Sequence, residues 1–257
     1  MSNAASAGYA VTRLESTGST NDVAKEAAAA NAADGAVFWT QHQLAGRGTH
    51  GREWVTPPGN LAVSILKRPK MPIRFAPQAA LVTAVALAEA LTQMGLAARR
   101  IKLKWPNDVM VDGRKISGIL LEAQAEGHGV QWLVVGTGVN VLHYPAESRH
   151  PATSLAEAGL ATNAEAVLAF YLAAFDKWWS RWRRYDFQVV QTAWAARTLH
   201  APGDILRLYH RGETVEARYK GLAADGALVV EGPDGLETRI VSGELFTGSD
   251  DPPANTD

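Results

Sequence analysis

The chain has 257 residues, 47% hydrophobic and 20% charged, with 25 lysines and arginines against 26 aspartates and glutamates. That is room for one large domain, or one domain with a small appendage, around a packed core, and the net charge of -1 argues against a surface built to clamp duplex DNA through its phosphates. With no cysteine there is no disulfide, cysteine-ligated zinc or thiol nucleophile, and the seven histidines show no pair at metal-ligand spacing.

No basic segment followed by an apolar one marks a signal peptide, so a cytoplasmic protein is expected; residues 1–4 are given no structural meaning. Residues 9–14 read as a short strand. The cap-rich turn at 16–21 leads into an alanine-rich helix over 22–30. A β-branched and aromatic strand over 37–43 runs into AGRGTHGREW at 45–54, and LAVSIL at 61–66 reads as a buried strand. The spacing predicts a long helix over 75–94 closed by Gly95; its most apolar part, 79–91, is too short to span a membrane and contains Glu89. IKLKW at 101–105 alternates as a half-buried strand does. Strands over 109–111 and 116–122 flank Asp112-Gly113, a hairpin signal, and a strand over 130–135 precedes Gly136-Thr137-Gly138-Val139-Asn140. Helical pattern returns at 154 and dominates 163–199. After Ala201-Pro202-Gly203 come short strands at 205–209, 214–222, 227–230 and 237–241, punctuated by turns, which suggests a small β-barrel-like domain. The expected division is 1–200, 201–247, and a disordered acidic tail at 248–257.

The loop at 45–54 contains G-x-G-x-x-G: Gly46, Gly48, Gly51. A dinucleotide fingerprint needs a helix directly after the glycines. Two prolines and a glycine follow at 57–59, and the ribose-binding acid expected about 20 residues on is missing. The loop can instead be a nest of backbone N–H groups for an anion, with Arg47 as a bidentate grip, or simply a mobile, solvated turn. Lys115, in Gly113-Arg114-Lys115-Ile116-Ser117-Gly118-Ile119, enters a strand with apolar neighbours. It can steady a carboxylate as it meets a phosphate, or it can be a solvated hairpin lysine.

FDKWWSRWRRYD at 175–186 places Trp178, Trp182 and Tyr185 at helical spacing with arginines between them. This reads as a core stripe with snorkelling arginines in preference to an aromatic-basic nucleic-acid patch. Glu122 and Glu126, in strand and turn context, are assigned no acid–base role. No serine sits in a G-x-S-x-G elbow.

Five elements stand in one order: Ser19-Thr20-Asn21; Gln43 with Gly46-Arg47-Gly48 through Gly51-Arg52 and Trp54; Lys104 to Asp108; Gly113-Arg114-Lys115 with Ser117-Gly118-Ile119; and Gly136 to Asn140. Together they resemble the biotin protein ligases. The resemblance implies an α+β fold of the class II synthetase-like, biotin/lipoate ligase type. Its central mixed or antiparallel sheet carries flanking helices, and a small C-terminal SH3-like β-barrel follows. It implies a two-step reaction: biotin and ATP give biotinyl-5'-AMP and pyrophosphate, and a carrier-protein lysine then takes the biotinyl group and releases AMP. ATP and Mg2+ are implied as co-substrate and ion, with biotin as substrate, no tightly bound prosthetic group and no assigned metal ligand. The implied partner is the biotin carboxyl carrier protein or domain of a biotin-dependent carboxylase such as acetyl-CoA carboxylase, with no specific DNA and no membrane.

By the same resemblance, Ser19, Thr20, Asn21 and Gln43 meet polar atoms of biotin, and Gly46, Arg47, Gly48, Thr49, Lys115 and Gly118 complete its site. Arg47, Arg52, Trp54, Asn107, Lys115 and Asn140 serve ATP and the adenylate. Lys115, Arg47 and Asp108 are the implied catalytic set, Lys115 bridging carboxylate and α-phosphate and Asp108 orienting it or acting near the incoming lysine. Relatives can pair through the central sheet, which makes a strand edge at 130–135 a candidate homodimer face. The lipoate ligases share the fold but carry a Gly-Gly-Gly that this chain lacks; a non-catalytic sensor on the same scaffold is disfavoured by the presence of both Lys115 and Arg47. Two departures stand out. Many relatives have a basic residue at the position of Thr49, so a weaker hold on the adenylate is expected. Only 18 residues precede Ser19, too few for a helix-turn-helix, so a ligase without repressor activity is expected.

Overall fold

The computed structural model describes residues 3–6, 8–146, 150–210 and 212–246; the tail expected at 248–257 lies outside the described residues. In chain order the elements are β1 (Asn3–Ser6), β2 (Tyr9–Arg13), α1 (Thr20–Ala29), β3 (Ala36–Thr40), β4 (Leu61–Lys67), α2 (Gln78–Gln93), β5 (Ile101–Lys104), β6 (Asp108–Val111), β7 (Arg114–Glu126), β8 (Gly129–Val139), α3 (Ala164–Tyr185) and α4 (Gln188–Ala195). Five short strands follow: β9 (Ile205–His210), β10 (Glu213–Leu222), β11 (Leu228–Glu231), β12 (Glu237–Ile240) and β13 (Glu244–Phe246).

The first eight strands form one sheet in the order β1-β2-β3-β4-β8-β7-β6-β5. Only the β2–β3 pair is parallel; the others are antiparallel. β4 is buried at all seven positions, as a strand covered on both faces must be. Its Val63 and Ile65 face the main core with Val37, Trp39, α2 and α3, while Leu66 faces Ala24 and Ala28 of α1. This is the period-two alternation of a strand written into side-chain burial.

α2 is buried along nearly its whole length. The segment Ile73–Gln93 is long and apolar enough to cross a membrane by length and composition, but most of it is buried inside the fold. The aromatic segment of α3 packs against it as a core stripe. Trp178, Trp179 and Trp182 are buried, the Trp182 indole N–H donates to Gln78 Oε1 at 2.8 Å, and that of Trp178 donates to Glu89 Oε2 at 2.9 Å. Arg181 and Arg183 lie over indole faces, as snorkelling cations do; the Tyr185 side chain lies outside the described residues.

The continuous helical pattern expected over 163–199 is broken. Asp186 adopts φ 71°, a left-handed conformation that interrupts the helix, and its carboxylate accepts from the Phe187 N–H at 2.6 Å. The strand edge expected at 130–135 is also corrected. β8 lies between β4 and β7, with Val134 opposite both Leu66 and Glu122, so residues 133–135 are interior to the sheet. The edge strands are β1 and β5, and β5 is partly covered through a bridge between Leu103 and Thr198.

The last five strands form an antiparallel sheet ordered β12-β11-β10-β9-β13. Among the described residues its ladder is open between β12 and β13, where the sequence suggested a barrel. It docks through polar groups on two buried side chains, Gln78 and Trp105, and one half-buried side chain, Gln191. Gln78 Nε2 donates to the Ala224 carbonyl at 2.9 Å, the Trp105 indole to the Gly226 carbonyl at 3.2 Å, and Gln191 Nε2 to the Leu222 carbonyl at 3.0 Å. Gly226 has φ +88° and a Cβ there would stand 3.0 Å from Leu81, so the turn needs glycine for both backbone and space.

Gln78 therefore ties α2 to α3 and to the small sheet with one buried amide. Gln78→Leu leaves the Trp182 N–H and the Ala224 carbonyl without this partner, and an expected loss of about 2–4 kcal/mol in urea unfolding follows from the cost of unsatisfied buried groups. A midpoint and slope equal to wild type would contradict this account of the seam.

Candidate active site

The floor of the site is a patch of β4, β8 and β7 from which side chains have been removed. Gly138 is in register with Ala62 on β4 and Gly118 on β7; the next inward-facing row pairs Gly136 with Ser64 and Leu120. A Cβ on Gly136 would stand 2.2 Å from Asn21 Oδ1, and one on Gly138 would stand 2.2 Å from the Trp54 indole nitrogen. Glycine here lets two functional side chains lie directly on the sheet.

The S-T-N turn enters this floor at the start of α1, where Ser19, Thr20 and Asn21 are all buried. Gln43 Oε1 accepts from the Thr20 N–H at 2.9 Å and lies 3.3 Å from the Thr20 hydroxyl. The Ser64 hydroxyl donates to Asn21 Oδ1 at 2.5 Å, and the Asn21 amide donates to Glu122 Oε2 at 2.8 Å. Thr20, Asn21 and Gln43, three of the residues expected to meet biotin, thus share one polar cluster oriented by Ser64 and Glu122, with buried Ser19 next to them in the chain. Neither Ser64 nor Glu122 was selected from sequence. Their signal is strand parity: Gly118, Leu120 and Glu122 share one face of β7.

The glycine-rich loop crosses above the floor. His50 and Gly51 take the left-handed conformation, with φ 59° and 72°. A Cβ on Gly46 would stand 2.2 Å from both Gln43 Nε2 and the Trp54 carbonyl, and the Gly48 N–H donates to the Arg52 carbonyl at 2.6 Å. Arg47 makes a two-pronged contact with Asp22 on α1, at 2.8 and 2.5 Å. Lys25 adds a 3.0 Å contact to Asp22 and a 2.6 Å hydrogen bond to Glu122. Chiefly because the Arg47 guanidinium donates to it, against some burial and with help from Lys25, the Asp22 carboxyl is lowered to about 2. Sequence reading placed Arg47 on ligand anions; here its guanidinium rests on a protein carboxylate that the reading passed over. Thr49 Oγ1 accepts from Arg52 at 3.1 Å, while the other arm of Arg52 reaches Glu244 on β13. Glu244 also lies 2.8 Å from His150 Nε2, so the loop is tied to the small sheet.

Lys115 is the second residue of β7. Its N–H donates to the Pro151 carbonyl at 2.7 Å and its carbonyl accepts from Thr153 at 2.9 Å, which pins the strand. Its ammonium lies 2.5 Å from Asp108 Oδ1 and 5.7 Å from the Trp54 ring centre. Asn107 donates to the Ile119 carbonyl at 2.7 Å, and buried Asn140 donates to the Thr153 carbonyl at 3.1 Å. A cavity of 420 Å³ is lined by Ser19, Thr20, Asn21, Gln43, Arg47, Gly48, Thr49, Arg52, Trp54, Asn107, Lys115, Gly118 and Asn140. Every predicted site residue is on that wall except Gly46, which packs against Gln43 and the Trp54 carbonyl, and Asp108, which meets Lys115 from a second cavity of 320 Å³ against the small sheet. The first space suits a ligand with an apolar body and an anionic end.

Residues 13–140 match the biotin/lipoate A/B protein ligase family, and residues 205–248 match the biotin protein ligase C terminal domain. The chain is 37% identical over 216 residues to a biotin--[acetyl-CoA-carboxylase] ligase of Paracoccus denitrificans, covering 81% of this chain and 88% of that one. It is 31% identical to the bifunctional ligase/repressor BirA of Bacillus subtilis, covering 90% of this chain and 71% of that protein. A biotin protein ligase from Aquifex aeolicus in complex with biotin and ATP superposes with a TM-score of 0.77 at 26% identity, over 92% of this chain and 97% of that one. One from Leishmania major in complex with biotinyl-5-AMP does so at 0.63 and 25% identity, over 90% and 98%.

The Arg47–Asp22 contact has a defined pH signature. A carboxyl lowered in the folded state stabilises it above its unfolded value, near 4, and loses that contribution as pH falls toward about 2. From pH 5 to 9 the pair is constant. Asp22→Asn at neutral pH is expected to speed amide hydrogen exchange across residues 46–52, while the thermal midpoint moves by less than about 3 °C because the pair is exposed. Unchanged exchange in the loop would show that Asp22 does not hold it.

Proposed function

The chain belongs to the biotin protein ligases of the biotin/lipoate A/B protein ligase family, and from that premise we propose that it forms biotinyl-5'-AMP from biotin and ATP and passes the biotinyl group to a lysine of a biotin carboxyl carrier domain. The observation that carries the reading is a single lysine, Lys115, held beside Asp108 on the wall of a cavity whose other end is the Ser19–Thr20–Asn21–Gln43 cluster. The match to the C terminal domain of biotin protein ligases favours biotin over lipoate as the acyl substrate. Acetyl-CoA carboxylase, named in the Paracoccus denitrificans relative, supplies the proposed carrier. Residues 1–200 form the proposed catalytic domain and 201–247 its small companion.

In the first step two anions must meet, the biotin carboxylate and the α-phosphate. The polar cluster fixes the ring end of biotin, so the carboxylate lies toward Lys115. The ammonium offsets the repulsion and aligns the attacking oxygen. Arg47 closes over the same region, exchanging Asp22 for a ligand anion. Trp54, flat on the Gly118–Gly138 floor, offers its face to adenine. Asn107 and Asn140 shape the nucleotide side through the backbone groups they hold. Mg2+ is proposed to enter with the triphosphate, as part of the substrate. In the second step the carrier amine bonds to the acyl carbon, the bond to the phosphoryl oxygen breaks, and AMP leaves. Asp108 orients Lys115 throughout.

Lys115→Ala is expected to lower ATP-dependent labelling of a carrier domain by biotin by about a hundredfold or more, the scale of losing one preorganised charge donor. Full labelling by the variant would remove Lys115 from the mechanism. Wild type that binds biotin without labelling would remove the ligase reading itself.

Thr49 stands where the family resemblance implies a cation, and here it accepts from Arg52. We expect escape of biotinyl-AMP from the wild type, read as biotin on bystander proteins, and a severalfold decrease in Thr49→Arg. Equal bystander labelling by the two proteins would show that this position does not govern retention.

A further inference from the structure

Beside the 420 Å³ cavity, charged side chains of α1, the glycine-rich loop and β7 form one cluster. Asp22 and Lys25 stand on α1, Arg47 on the loop and Glu122 on β7. The Lys25 ammonium bridges the two carboxylates, 3.0 Å from Asp22 Oδ1 and 2.6 Å from Glu122 Oε1. Each carboxylate has a further partner. Asp22 accepts from both arms of Arg47, while Glu122 Oε2 accepts from Asn21 at 2.8 Å and lies 3.9 Å from Arg47 Nη2. Asn21 and Arg47 line the cavity, whereas Asp22, Lys25 and Glu122 do not. Lys25 therefore stands clear of any ligand in that cavity, yet it holds the carboxylate behind Asn21 and the carboxylate behind Arg47. Chiefly its hydrogen bond to Glu122, against some burial and with help from Asp22, raises the Lys25 pKa above the ordinary value, so it is a fixed charge at neutral pH. With Arg47 in place the cluster is neutral. When Arg47 moves to a ligand anion, both carboxylates remain on one ammonium.

We infer that Lys25 is a positioning residue that acts through Arg47: by staying between Asp22 and Glu122 as their counter-charge, it lets the guanidinium leave Asp22 for the ligand. The inference rests on the ligase reading above. Without Lys25, Arg47 is the cation that both carboxylates share. Moving it to a ligand then strands two like charges close together, which is unfavourable in a partly desolvated site. The resting contact with Asp22 becomes stronger, and the hold on the acyl phosphate becomes weaker by the same difference. Loss of the Glu122 charge acts in the opposite direction, because the protein then competes less for Arg47. Loss of both charges leaves Arg47 with Asp22 alone and restores the balance. Glutamine at position 122 keeps a carbonyl oxygen for Asn21 to donate to, so the polar cluster keeps its orientation.

The test compares two ligands on the full-length protein by isothermal titration. Biotinyl-AMP carries the anion; biotin amide keeps the ring end and is uncharged. The ratio of the two affinities isolates the grip on the anion. Lys25→Met should lower that ratio about tenfold, and Glu122→Gln should raise it about threefold. The double variant should return to within about twofold of wild type, a coupling that independent sites do not show. A merely structural Lys25 would weaken both ligands alike and make the double variant the poorest binder. An unchanged ratio in Lys25→Met, a ratio unchanged or lowered in Glu122→Gln, or a double variant no better than Lys25→Met would overturn the inference. If Lys25→Met fails to fold, the direction of the Glu122→Gln shift decides alone. Wild type that forms no biotinyl-AMP from biotin and ATP would refute the ligase reading and this inference with it; wild type that forms it, with equal ratios across the variants, would refute the role of Lys25 only.

Discussion

The proposed chemistry needs two anions brought into bonding distance, and the ammonium proposed to offset their repulsion has an over-determined position. Lys115 is flexible by nature, a point charge on a four-carbon stem. Its backbone is fixed on both sides by the segment at 151–153, and its tip is drawn to Asp108 at 2.5 Å. Asp108 itself is nearly buried and starts β6, opposite Gly118 in register. The lysine, its orienting acid and the glycine floor beside them therefore come from adjacent strands of one antiparallel ladder. A ladder of that kind holds a charge more firmly than a loop does.

Around this fixed charge the other cations are held on protein carboxylates. Arg47 rests on Asp22, and Arg52 on Glu244. Each pairing keeps a guanidinium close to where ligand anions enter, without leaving it unpaired. Each also gives the loop a second anchor, one on α1 and one on the small domain. Ligand binding then becomes an exchange of one anion for another, a smaller reorganisation than ordering a free side chain.

Much of this was legible in the sequence. The strands and helices of the catalytic domain follow hydrophobic period, and the S-T-N turn, the G-R-G loop, Lys115 and Gly118 meet in one cavity as their motifs implied. The parts that were not legible depend on pairing between distant segments. Glu122 and Glu126 share a strand parity, yet Glu122 meets Asn21 and Lys25, while Glu126, beyond a register shift between Gln124 and Ala125 and at the hairpin end of β7, is exposed. Asp22 lies in the first turn of α1, and nothing in its local sequence points to Arg47, 25 residues away. The place of β8 inside the sheet was hidden because a short apolar run reads alike at an edge and at the centre. Glu244 belongs to a three-residue strand, β13, too short to announce itself by pattern, although it links the small domain to the loop.

The most direct measurement of the central claim is a crystal structure with biotin and a non-hydrolysable ATP analogue bound together. The account predicts the Lys115 ammonium within hydrogen-bond distance of both the biotin carboxylate and an α-phosphate oxygen, with Asp108 still beside it. A complex in which Lys115 stays on Asp108 and reaches neither ligand, while another cation spans the two anions, would contradict it.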